Sequence, residues 1–210
     1  MSCIVHSIKI LTWVGINMIT DLKETKENKI VTNMSDVENE VKSSKEETIF
    51  QIQSFVAEGK FKQADELVKK SLAENYNDPQ MLSLSALVAV AMQDWVQAIA
   101  RLHVVIKIQG NDTPPLPHLL LIRSYRCSGQ LVEAMKAAEL AVKTHANNEE
   151  IVNEAAIIAE DLGEWESATL ALEVLKEMHE MDDRDVPTSL LTRLQTARSL
   201  SKIVNEEKGE

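Results

Sequence analysis

The chain has 210 residues, enough for one medium domain with a sizeable core, and its 44% hydrophobic but only 4% aromatic composition favours packing by small and aliphatic side chains. Twenty-two basic against thirty-three acidic residues leave a net charge of −11, which opposes non-specific attraction to nucleic acid or anionic membrane and favours basic partners. Cys3 and Cys127, the only two cysteines, form neither a disulfide framework nor a paired metal motif, so a reducing, cytoplasmic setting is expected.

Residues 1–19 are an apolar arm, with Ile4, Ile8, Leu11 and Trp13 among a run broken by His6, Lys9 and Asn17. Lys9 interrupts the apolar core, and a small-residue cleavage site is lacking, so a secretory signal is disfavoured. A docking helix or interfacial anchor fits better, with Trp13 at the boundary and the aliphatic residues in a protein groove or lipid. Residues 20–44 turn polar and charged, and their sparse Ile30, Val31, Met34, Val37 and Val41 cannot build an independent core. This stretch reads as a flexible linker with transient helix.

From residue 45 a repeat sets in. The tripeptides Gly59-Lys60-Phe61, Gln93-Asp94-Trp95, Gly129-Gln130-Leu131 and Gly163-Glu164-Trp165 punctuate the chain, and each is followed by an alanine: Ala64, Ala98, Ala134 and Ala168. These alanines are 34, 36 and 34 residues apart. Such a period marks helix pairs that cannot bury their apolar faces alone and must stack on neighbours. The first pair carries Ile49, Ile52, Phe55 and Val56, then Phe61, Ala64, Leu67, Val68 and Leu72. Pro79 suits the first turn of the next helix, which runs through Met81, Leu84 and Val88, and Trp95, Ala98 and Leu102 return. Residues 110–117 hold the two extra residues of the longer spacing together with Pro114, Pro115 and Pro117, which lengthen and stiffen that turn. Asn147-Asn148 precedes the last pair, and Leu190, Leu191, Leu194, Ala197 and Leu200 predict a capping helix over 187–203, before a disordered tail over 204–210.

The period, the alanine set, the turn punctuation and Asn147-Asn148 together resemble the tetratricopeptide repeat (TPR) family over about residues 45–182. Ala86, Ile122 and Ala156 stand where that family commonly has a small glycine. The resemblance implies an all-α, right-handed helical-repeat superhelix, a TPR-like α-solenoid, with four hairpins over 45–186. It also implies a non-enzymatic scaffold, adaptor or complex subunit that binds other proteins along the inner surface formed by the first helices. In this register Ile49, Gln53, Val56, Leu87, Val90, Leu119, Arg123, Arg126, Asn153, Ile157 and Glu160 lie on or near that surface. An enzyme-accessory or membrane-tethering module that uses the apolar arm is the alternative.

Arg123 and Arg126 share one side of a helix and suit a carboxylate or phosphate, although Glu133, Glu154 or Glu160 would serve equally as mates. Trp95 and Trp165, at equivalent turns, read as packing residues. Cys127, late in a helix, reads as a small buried hydrophobe. His6, His103, His118, His145 and His179 form no zinc series, and Asp182-Asp183-Arg184-Asp185 lacks the pattern of a calcium loop and ends the last repeat. Without a phosphate loop, nucleophile elbow or metal motif, neither a cofactor nor a catalytic residue is expected.

Overall fold

The computed structural model describes residues 36–208, with side chains over 45–206, and places every described residue in helices or the turns between them. The helices are α1 (Asp36–Ala57), α2 (Phe61–Glu74), α3 (Pro79–Ala91), α4 (Trp95–Gln109), α5 (Pro115–Cys127), α6 (Leu131–Thr144), α7 (Glu149–Leu162), α8 (Trp165–Met181) and α9 (Thr188–Lys208). They fall into two compact units, one up to Val104 and the other from Val105. In the first unit α1 packs on α2, α2 on α3, and α1 reaches α3. The second repeats this arrangement: α5 packs on α6, α6 on α7, α5 reaches α7, and α8 and α9 extend the stack. Within each unit the leading helix, α1 or α5, thus meets both its own partner and the next first helix, as in a TPR-like α-solenoid.

Two boundaries differ from expectation. Helix α1 begins at Asp36, inside the stretch read as linker, and α9 continues to Lys208, through most of the stretch read as a tail. In both places polar residues dominate, so apolar periodicity carried no signal although helix propensity sufficed.

One backbone device closes all four hairpins. Gly59 donates to Val56 O at 3.1 Å and Lys60 to Phe55 O at 2.8 Å; Gln93 and Asp94, Gly129 and Gln130, and Gly163 and Glu164 repeat both bonds within 0.1 Å. This pair of bonds is the Schellman cap, which needs a left-handed residue just past the helix. Gly59, Gly129 and Gly163 supply it at φ 73°, 78° and 72°, while Gln93 is forced to φ 59°. The same cap, with Asp183 at φ 51°, ends α8 before the capping helix.

Ala64, Ala98, Ala134 and Ala168 all have 0% exposure, which fits close approach of helix backbones at these points. Around them the first unit gathers Ile49, Ile52, Val68, Met81, Leu84 and Val88. Leu119, Ile122, Ala138, Ile151 and Ile158 form one cluster of the second unit. Leu172, Leu175, Leu190, Leu194 and Ala197, with Trp165 against them, form another and hold α9 on α8. Each Leu, Ile, Val or Met among them contributes about 1.5–3 kcal/mol by leaving water.

The two inter-hairpin turns that carry an acid or amide before the helix are capped conventionally. Asp78 accepts from Gln80 N at 3.0 Å and Met81 N at 3.3 Å, and Asn148 accepts from Ile151 N at 3.0 Å; both satisfy amides that the helix leaves orphaned. Burial works to raise the Asp78 carboxyl, but the Lys45 ammonium 2.6 Å away and the capped amides outweigh it and hold the carboxyl below its ordinary range. The longer turn is absorbed differently: α4 gains a residue, a single 3₁₀ turn spans Gly110–Asp112, and Pro115 starts α5.

Candidate functional site

Charged side chains of the second unit join helices that are not neighbours in sequence. Helix α5 sets Arg123 and Arg126 one turn apart, and α7 sets Glu154 opposite them. Arg123 Nε donates to Glu154 Oε1 at 2.6 Å, and Arg126 Nε to Glu154 Oε2 at 3.1 Å. Glu154 is 1% exposed, with the two arginine side chains at 13% and 12%. A buried carboxylate is tolerable only because both of its oxygens are met by cations. Of the three mates the sequence offered, Glu154 is the one taken. Glu133 pairs with Lys136 on the same helix, and Glu160 faces Arg193.

The next link runs from α7 to α9. Arg193 donates through Nε and Nη2 to Glu160 at 3.0 and 2.9 Å, and through Nη1 to Asn153 Oδ1 at 2.9 Å. This fork-shaped pairing uses the planar geometry that only arginine has. A third link starts from Glu149 at the head of α7: Oε1 meets His179 Nε2 at 3.1 Å, and Oε2 meets Arg184 at 2.9 Å. In the first unit Arg101 of α4 has the corresponding bridging role. It donates to Ser85 O at 2.9 Å, meets Asp65 at 3.5 Å and bonds Gln97 at 2.7 Å.

The residues assigned to the inner surface therefore divide. Ile49 and Leu119, placed on or near that surface, pack in the core clusters at 4% exposure. Leu87 and Val90, each 7% exposed, are buried as well, in a run Leu84–Val90 that is apolar apart from Ser85 and buried throughout. Val56 packs at the edge of the first core, while Gln53 and Ile157 are half-buried. Arg123, Arg126, Asn153 and Glu160 form the links just described. The arm residues Ile4, Ile8, Leu11 and Trp13 lie outside the described residues.

Several contacts had no signal in sequence spacing. Arg193 and Arg101 were not singled out, since a lone arginine on a helix looks like a solvated charge. His118 and His145 come together edge to face, ring centroids 5.2 Å apart. Burial, and then the neighbouring His145, lower the pKa of the His118 imidazole. Tyr125 packs against the α5–α7 core, and burial with the Glu133 charge raises its hydroxyl pKa. Among the described residues, no group of three or more His, Cys, Asp or Glu side chains is arranged to hold a metal ion, and no helix is long and apolar enough to cross a membrane.

With this geometry in view, the fold has relatives among solved structures. A MamA RS-1 ArsTM double mutant superposes with TM-score 0.61 at 16% identity, over 67% of this chain and 78% of that one. MamA 41-end from Desulfovibrio magneticus RS-1 gives 0.57 at 15% identity, covering 66% and 75%. The complex of Naa15/Naa10 bound to HypK-THB gives 0.58 at 15% identity over 76% of this chain, which spans only 23% of that one. The likeness is one of fold. No protein-family model and no curated protein matches the sequence.

Proposed function

We propose that the protein is a non-enzymatic binding scaffold, an adaptor or subunit of a multiprotein complex, whose first helices carry the contact surface for a protein partner. The observation that supports this reading is the row of links through Arg123, Arg126, Glu154, Asn153, Glu160 and Arg193. It ties α5, α7 and α9 together by their side chains, so these helices and the surface they carry are held in a fixed arrangement. A fixed surface loses little entropy when a partner docks, which is the advantage of a preorganised interface. The fold relative Naa15/Naa10 bound to HypK-THB is a protein assembly, in keeping with this reading. The net charge of −11 weighs against nucleic acid and towards protein partners with basic surfaces. The proposed setting is cytoplasmic.

Crosslinking of the protein in its native extract, followed by mass spectrometry, tests the scaffold. Crosslinks to one defined partner should concentrate between residues 49 and 160, with extension to α9. A protein that runs as a partner-free monomer in that extract would remove the basis of the proposal.

The apolar run that contains Ile4, Ile8, Leu11 and Trp13 favours a second role, in which this arm docks the scaffold on an assembly or a membrane. Vesicle flotation separates the two surfaces. Polar replacement of these four residues should abolish flotation if lipid is the target and leave it unchanged if it is not.

A further inference from the structure

A cleft of about 480 Å³ opens in the second unit between the start of α7, the end of α8 and the start of α9. Leu175, Pro187 and Leu190 give it an apolar floor, and Glu149, Glu150, Asn153, His179 and Arg193 form its polar wall. The charges on that wall are unequally committed. Arg193 spends three nitrogens on Glu160 and Asn153. Glu149 is shared between His179 and Arg184. Glu150 has only a 4.0 Å approach from Arg123, which is itself gripped by Glu154, and it stays 51% exposed.

A second uncommitted group is His179, 8% exposed, whose Nδ1 has no hydrogen-bond partner. Because a carboxylate only accepts, the Nε2 that faces Glu149 carries a proton. The spare charge on the wall is therefore the negative charge of Glu150. The cleft's occupant must bring a positive charge and an apolar stem.

We infer that this cleft receives a lysine side chain of a partner polypeptide. The methylenes lie along Leu175, Pro187 and Leu190, and the ammonium meets the Glu150 carboxylate, as amphipathic basic side chains combine a buried stem with a charged tip. The inference rests on the scaffold reading and reverses the sign of the partner group suggested by Arg123 and Arg126, because Glu154 already occupies both arginines. The overall negative charge of the chain draws such a partner in.

The test uses the full chain, isotope-labelled for amide NMR, titrated with a blocked alanine pentapeptide that carries a central lysine. The same peptide with norleucine, which keeps the stem and lacks the charge, is the comparison. The amide signals of Asn153, Ser189 and Leu190 should move with the lysine peptide, and its affinity should exceed that of the norleucine peptide by about two- to fivefold, the scale of one partly exposed charge contact. Glu150→Gln should erase the difference, and Ser189→Trp, placed on the exposed rim, should block both peptides while leaving the thermal midpoint near wild type. Equal affinity for the two peptides, the absence of any shift, or shifts that spare these three amides would each overturn the cleft assignment. Shifts elsewhere would leave the scaffold reading standing. Conversely, lysine recognition in the cleft of a protein that has no partner in its extract would sink the scaffold and keep the site.

Discussion

Replacing Glu154 by glutamine keeps the size and shape of the side chain and removes its charge. The carboxylate is 1% exposed and receives Arg123 Nε at 2.6 Å and Arg126 Nε at 3.1 Å. At an effective dielectric of about 20, each charge pair about 4 Å apart contributes about 4 kcal/mol before the cost of drying the ions. Glutamine would keep one acceptor for one arginine and turn its own N–H donors towards the other. Two guanidiniums, only 13% and 12% exposed, would then face each other without a counter-charge. Removing one partner of a buried ion pair typically costs about 3–5 kcal/mol, and about 3 is expected here because the arginine tips retain some water. Chemical denaturation followed by far-ultraviolet circular dichroism measures it. The triple replacement Arg123→Met, Glu154→Leu, Arg126→Met should recover most of the loss, since a well-packed apolar set often equals a buried ion triad. A loss below about 1 kcal/mol for Glu154→Gln would refute the reasoning, because it would class the triad with ordinary surface pairs.

The other predictions follow from the same geometry. Gln93→Gly should stabilise the protein by about 0.5–1 kcal/mol, since relief of left-handed strain exceeds the extra flexibility of unfolded glycine; a neutral or negative effect in thermal denaturation would count against the strained cap. Gly129→Ala should destabilise by about 1 kcal/mol through backbone strain alone, because a methyl group there meets nothing within 4 Å. Ala98→Leu should cost about 1–3 kcal/mol through overpacking at a fully buried site, whereas exposed Lys62→Ala should be near neutral; an equal effect of the two would mean that the alanine contacts are loose. The depressed pKa of His118 makes the unfolded ring the better proton acceptor, so its contribution is fully present above its ordinary value of about 6.5 and declines as pH falls below it. Asp78, also depressed, contributes above its ordinary value of about 3.9 and loses that contribution as pH falls through its lower folded value. His118→Gln should flatten the dependence between neutral and mildly acidic pH, and an unchanged slope in that variant would assign the effect to other groups.

The repeat was legible in the sequence because it rests on backbone chemistry that few residue types satisfy. Left-handed turn positions demand glycine in three of four hairpins, and close helix packing demands Ala64, Ala98, Ala134 and Ala168 at a nearly constant spacing. Both are local requirements, and local requirements write themselves into periodicity. Gln93 shows the limit: the turn there is read from its neighbours in the pattern, while the strain at φ 59° is visible only in the folded backbone. The candidate site belongs to the other class. Arg123 and Arg126 were visible as a pair because one helix carries both, but which glutamate they meet depends on how α7 lies against α5. Their pairing with Glu154, the burial of Ile49 and Leu119, the grip of Glu160 on Arg193 and the meeting of His118 with His145 join residues distant along the chain. Sequence periodicity determines which face of a helix is apolar; only the tertiary contacts decide which charge is neutralised by a neighbouring helix and which, like Glu150, remains open to a partner.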